Sequence, residues 1–176
     1  MNPAPKITLQ SGKFLALVKE GGWEYADRTN ATGVAIIIAL TGDGKLLLVE
    51  QYRIPVHART IELPAGIIGD DHSKGDETQA EAARRELIEE TGYEAGQIKA
   101  VTSGPASGGL TSETVTLFVA TQLRRIDAGG GVGNEDITVH EVPLREIHDW
   151  LEARTKSGVL VDPKVYAGLY FIGRKR

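Results

Sequence analysis

At 176 residues with a formal net charge of −4 and no cysteine, the chain is long enough for one domain with a real core. It has no disulfide framework, thiol nucleophile or thiolate metal site, and its mild acidity leaves no basic footprint for nucleic acid. The opening MNPAPKITLQ lacks the apolar run of a signal peptide, and no stretch is long and apolar enough to span a membrane, so the expectation is a cytoplasmic protein forming a single domain over residues 1–176.

Taken in order, Ile7 to Tyr25 reads as two short strands, with Phe14 to Val18 apolar, Gly21-Gly22 as a turn and Trp23-Glu24-Tyr25 resuming with strand formers. Gly33 to Leu40 is a continuous apolar run, the mark of a buried strand. Gly42-Asp43-Gly44 predicts a tight hairpin turn into the returning strand Lys45 to Gln51, with Arg53 at its exit. Thr60 to Leu63 is another strand, followed by Pro64-Ala65-Gly66 and a polar loop. Beyond the central helix, strands are expected at Ile98 to Thr102, Thr114 to Ala120 and Ile137 to Val142. Small residues fill a loop from Gly104 to Ser112, and glycines fill another from Gly129 to Gly133. Leu144 to Thr155 reads as a helix with Pro143 at its start, and Asp162-Pro163 as a cap and first-turn proline opening a last helix through Ile172. Strands, one central helix, more strands and terminal helices describe an α/β protein with a mixed sheet between helices.

The central helix carries the chemistry. Asp76 can cap it, with Gln79 returning the bond, and Gly92 stands where a left-handed C-terminal residue is wanted. Ala80, Ala83 and Leu87 recur at helical spacing and would face a core. Glu86, Glu89 and Glu90 share a face. A helix seeking only solubility would alternate signs. Crowded carboxylates make sense around a hard cation such as Mg²⁺, which takes carboxylate oxygens and keeps positions for water and phosphate.

Glu77, seven residues, then Arg85-Glu86-Leu87-Ile88-Glu89-Glu90-Thr91-Gly92-Tyr93 resembles the Nudix box. The box glycine would fall at position 71, where this chain has Asp71. Gly66 lies five residues earlier, so part of Ile67 to Gly75 reads as a loop insertion. Gly22 to Tyr25, Leu48 to Arg53, Glu62 to Gly66, Asn134 to Ile137 and Val142 to Leu144 resemble the ADP-ribose and nucleoside-diphosphate-sugar pyrophosphatase branch of that family.

The resemblance implies an α/β/α sandwich and a hydrolase splitting a sugar nucleotide into a nucleoside monophosphate and a sugar phosphate. It implies Glu86 and Glu90 as metal ligands, with Glu89 and the Ala65 carbonyl assisting, around two or three Mg²⁺ or Mn²⁺ ions. Arg85 would hold the motif glutamates, and Arg53 would grip a phosphate or ribose through its fork. Glu62 and Glu113 are further substrate-binding candidates. Trp23 would stack on a nucleobase across a homodimer built from the N-terminal strands, about residues 1–31. Branch members often carry a proline where this chain has Gly108, with Pro105 out of place. That leaves GDP-mannose or another sugar nucleotide beside ADP-ribose as substrate. Carboxylates on a metal are poor bases, so the base is expected in the glycine-rich loop, at Glu135, with Asp136 and Glu113 as rivals. The other functional classes are a non-cleaving sensor of nucleotide sugars and a pyrophosphatase for dinucleoside polyphosphates.

Overall fold

The computed structural model describes residues 4–29, 31–69, 77–133 and 135–173. In chain order the elements are β1 (Lys6–Ser11), β2 (Leu15–Glu20), β3 (Trp23–Arg28), β4 (Gly33–Ala39), β5 (Lys45–Arg53), β6 (Ala58–Glu62), β7 (Ala65–Ile68), α1 (Gln79–Thr91), β8 (Tyr93–Pro105), β9 (Thr114–Arg125), β10 (Thr138–Pro143), α2 (Ile147–Lys156), β11 (Leu160–Val161) and α3 (Pro163–Gly173). The fold is α/β, with mixed sheets, as its element order implied.

The strands form three sheets, ordered β1-β2-β3, β7-β4-β9-β8 and β10-β5-β6-β11. The turn between β4 and β5 is tight, closed by the Thr41 N–H to the Lys45 carbonyl at 3.0 Å. Its arms then diverge: apart from the bridge Leu40↔Leu46, β4 pairs with β7 and β9, and β5 with β6 and β10. The expected hairpin is thus the seam between two sheets.

Both faces of this double sheet are covered, which is why β4 is apolar throughout. Ala35, Ile37 and Ala39 pack with Ala82, Ala83 and Leu87 of α1. Ile36 and Ile38 point to the opposite core, with Leu48 of β5, Ile147 and Leu151 of α2 and Val165 of α3. Ala80 lies at the rim of the first core, so the helix face read from spacing is the one that is buried.

Several boundaries differ from expectation. Three N-terminal strands form where two were expected. β7 takes Ile67 and Ile68 out of the supposed insertion, pairing them with Val34 and Gly33. Residues 70–75 of that segment lie outside the described residues. So does Asp76, and the cap of α1 is Thr78: its hydroxyl accepts from the Glu81 N–H, and Glu81 returns a bond to the Thr78 N–H at 2.8 Å. β8 is 13 residues long, with a register shift between Ala100 and Thr102. Pro143 closes β10, and α2 begins at Ile147. The Asp162 cap of α3 is present, its Oδ1 accepting from the Lys164 N–H at 2.7 Å. No helix among the described residues is long and apolar enough to cross a membrane.

Candidate active site

α1 ends as its sequence requires. Gly92 takes a left-handed conformation at φ 75° and donates to the Ile88 carbonyl. The carbonyls exposed at this end are then claimed by the glycine-rich loop. The Gly130 N–H donates to Glu90 O at 2.8 Å, and the Gly131 N–H to Glu89 O at 3.0 Å. This loop carries Glu135, whose Oε2 accepts from the Val132 N–H at 2.9 Å.

The acidic face of α1 meets β7 at close range. A Cβ at Gly66 would overlap the Glu86 carboxyl group, so glycine is what lets that carboxylate lie against the strand. Glu90 is 6% exposed, and its Oε2 accepts from the Ala65 N–H at 3.0 Å. Burial, opposed by that hydrogen bond and reinforced by the charges of Glu86, Glu135 and Glu62, pushes its carboxyl up to about 8.

Arg85 sits in a nest of acids. Its Nε and Nη2 donate to Glu77 at 3.1 and 3.3 Å, and its Nη1 to Glu86 at 2.7 Å and Glu89 at 3.0 Å. Burial works against its charge, yet the hydrogen bonds and charges of Glu77 and Glu86 hold its pKa above the ordinary arginine value. Arg53 makes a two-pronged pair with Glu62, Nε to Oε1 at 2.7 Å and Nη2 to Oε2 at 2.5 Å. The Thr60 hydroxyl adds a third bond to Glu62. The hydrogen bonds Arg53 donates to Glu62 raise the Arg53 pKa against burial, helped by the charges of Glu62, Glu90 and Asp162.

These groups line one cleft of about 640 Å³, which brings together Arg53, Glu62, Ala65, Glu86, Glu90, Glu113 and Glu135. Glu89 and Arg85 lie behind them, joined to each other. Asp136 also stays out of the cleft, its carboxylate paired with Arg59 at 3.3 Å. Trp23 is 63% exposed and lines a separate recess with Tyr25 and Gly108, so within one chain it does not reach the cleft. Sequence reasoning missed Arg28, Gln51, Asp162 and Lys164, which also line it. Arg28, Asp162 and Lys164 reach the cleft from segments remote in the chain, and Gln51 lies inside the Leu48 to Arg53 stretch without having been singled out.

Among the described residues, no three histidine, aspartate or glutamate side chains enclose an ion as they lie. The donor set nonetheless suits a divalent cation. Among the described residues Glu90 forms no ion pair: its hydrogen bond comes from a backbone N–H, like charges surround it, and Arg53, whose charge it feels, is paired with Glu62; oxygen-rich clusters of this kind match Mg²⁺.

The NUDIX domain model matches residues 29–160. Over 123 residues the chain is 32% identical to the methanol dehydrogenase activator of Bacillus methanolicus and to the ADP-ribose pyrophosphatase of Bacillus subtilis. Each match covers 69% of this chain and 64% of the relative, so the chain spans under two thirds of those proteins. It is 31% identical to the GDP-mannose pyrophosphatase of Enterobacter sp. over 157 residues, 85% of this chain and 76% of that one. A crystal structure of an ADP compounds hydrolase superposes with a TM-score of 0.68 at 20% identity, covering 86% of this chain and 82% of that chain, and shows the same fold.

The buried carboxyl has a consequence for stability. Its folded pKa of about 8 lies above the ordinary 4.5, so the folded state holds a proton that the unfolded chain has released. Metal-free protein in chelator should therefore lose the Glu90 contribution as pH rises from about 4.5 to about 8, with no further loss above. Glu90→Gln, which stays neutral, should become more stable than the parent across that window by a few kcal/mol. Urea unfolding at pH 5 and pH 8.5 checks this; an equal difference at both pH values would contradict it.

Proposed function

Because the chain belongs to the NUDIX domain family, we propose that it is a metal-dependent pyrophosphatase of nucleoside diphosphate sugars. Its substrate would be ADP-ribose, GDP-mannose or a similar compound, and its products a nucleoside monophosphate and a sugar phosphate. The observation that carries the reading is one cleft combining the Glu86–Glu90 face of α1 with the Arg53–Glu62 pair. Relatives named as ADP-ribose and GDP-mannose pyrophosphatases support it. A sensor that binds without cleaving has no need of the full set of box glutamates, and this chain keeps Glu86, Glu89, Glu90 and Arg85.

Glu86, Glu90 and the Ala65 carbonyl, with Glu89 assisting, would hold divalent ions, two or three Mg²⁺ or Mn²⁺. Bound there, such ions neutralise the pyrophosphate and acidify a coordinated water. Arg85 bonds to Glu86 and Glu89 at once, which limits the rotamers these acids can take. Arg53 is held in plane by Glu62 on the wall of the cleft and would use its remaining guanidinium donors for a phosphate or ribose oxygen. Glu135 takes the proton of the attacking water. The water oxygen bonds to phosphorus, the bond from that phosphorus to the bridging oxygen breaks, and the bridging oxygen leaves with the other phosphate.

The three-stranded N-terminal sheet leaves Ile7, Leu9, Leu15, Leu17 and Trp23 between 45% and 63% exposed. Three strands with open apolar faces need another surface. A homodimer would supply it, and would let Trp23 of one chain serve the cleft of the other.

A panel of nucleotide sugars with Mg²⁺ in ¹⁸O-water tests the activity and shows which phosphorus is attacked; no turnover of any member would refute it. Glu135→Gln should lower turnover by roughly two to four orders of magnitude with affinity nearly intact. A loss below tenfold at saturating substrate would return Glu113 to consideration as base. Light scattering at micromolar concentration should give twice the chain mass, and a monomer there would exclude the dimer.

A further inference from the structure

Thr60, in the middle of β6, is 8% exposed, yet it forms part of the cleft wall. The sheet fixes it there. Thr60 pairs with Gln51 of β5 on one side and with Leu160 of β11 on the other, and a β-branched side chain has little freedom at χ1. Its Oγ1 is therefore a fixed point of the strand. Glu62 lies two residues on, so both side chains stand on the same face of β6, and Glu62 Oε1 accepts from the Thr60 hydroxyl. The Gln51 carbonyl is a second acceptor, at 3.4 Å. A hydroxyl has a single proton to give, and the carboxylate is the stronger acceptor because it is charged.

Arg53 is placed differently. It ends β5 with its side chain 45% exposed, and its bonds to the two oxygens of Glu62 orient its fork. A glutamate side chain turns about each of its single bonds, so the two-pronged pair can shift as one body unless Glu62 is itself held. Thr60 holds it, and does so at Oε1, the oxygen that also takes the Arg53 Nε. The contacts run from a strand paired on both sides, through a buried carboxylate, to a half-exposed cation on the cleft wall.

We propose that Thr60 is a positioning residue: by fixing the Glu62 carboxylate it fixes the plane in which Arg53 meets a phosphate or ribose oxygen of the substrate. This rests on reading the cleft as a nucleotide-sugar site gripped by Arg53. Thr60 itself touches no substrate in this scheme. Without its hydroxyl the pair keeps both charges and loses its fixed orientation. Binding must then also order the guanidinium, and affinity drops.

Affinities of ADP-ribose and GDP-mannose for the full chain are measured by calorimetry in chelator, and turnover in Mg²⁺. Thr60→Val keeps the shape and removes the hydroxyl, and should weaken binding by about tenfold, the scale of one hydrogen bond to a charged group. Thr60→Ser restores the hydroxyl and should stay within about threefold of the parent. In Mg²⁺ the loss should fall on KM, with kcat of Thr60→Val within about threefold of the parent, because orientation of Arg53 serves ground state and transition state alike. In an Arg53→Ala background Thr60→Val should have no further effect on affinity, since the two residues act through one group. An equal loss in that background shows that Thr60 acts independently of Arg53 and overturns the proposal. So does unchanged affinity in folded Thr60→Val, a loss that serine does not restore, or a loss confined to kcat. Circular dichroism establishes folding, and Thr60→Ala decides in place of Thr60→Val should the latter not fold. Weakened binding in Arg53→Ala beside full affinity in Thr60→Val defeats the proposal and leaves Arg53 its role. Full affinity in Arg53→Ala removes that role and the proposal with it. Binding of neither compound by the parent overturns the nucleotide-sugar reading as well.

Discussion

A carboxylate that is 6% exposed, with Glu86, Glu62 and Glu135 for neighbours, is an expensive thing to build. Much of the cleft's arrangement follows from having it. One backbone N–H, from Ala65, is brought to Glu90 by β7. The nearby positive charges are committed in advance, Arg53 to Glu62 and Arg85 to Glu77, Glu86 and Glu89. Burial leaves a proton on Glu90 until about pH 8, and a divalent cation entering the cleft would displace it.

The rest of the fold keeps α1 in place to maintain this arrangement. Ala82 and Ala83 let the helix lie close to the sheet, and Leu87 anchors it in the core shared with Ile37 and Phe118. This much was legible in the sequence, because a buried helical face and a continuous apolar strand each have their own periodicity. The splaying of β4 and β5 into separate sheets was not. A tight turn fixes where the chain reverses, while the partners of each arm are chosen by strands far away, β9 for one and β10 for the other. The cap at Thr78 escaped for a nearer reason. Asp76 and Thr78 are both good capping residues, and the choice falls to Thr78, where Glu81 reciprocates.

The site divides in the same way. Glu86, Glu89 and Glu90 announce themselves by spacing on one helix, and Arg53 only through the resemblance of the residues around it, Leu48 to Arg53. Arg28 meets Glu113 across 85 positions of chain, and Lys164 joins the cleft because β11 runs parallel to β6 and delivers α3 beside it. Two-residue strands such as β11 carry no periodic signal, so no reading of local pattern would have placed that helix. Glu50 shows the converse. It is an acid inside the apolar run KLLLVEQ, and the structure surrounds it with Arg59, His140 and Arg154. A lone charge in a buried strand signals a partner without saying which.

The glycine-rich loop joins these threads. As a sequence it was expected to carry the base. In the structure its N–H groups close the C-terminal end of α1, at the carbonyls of Glu89 and Glu90 themselves. Its far end is tied down separately, Asp136 to Arg59 and Arg59 to Glu50. The segment bearing Glu135 is therefore strung between the helix that carries the acidic face and the buried charge cluster of the second sheet. A displacement of the last turn of α1, where Glu90 stands, moves the anchor of that segment too. The helix end bearing Glu90 and the segment bearing Glu135 are joined by the backbone hydrogen bonds of Gly130 and Gly131. Glycine at 130 and 131, with φ of 105° and 88°, is what allows the backbone to turn its N–H groups onto the helix end while leaving Glu135 at the edge of the cleft.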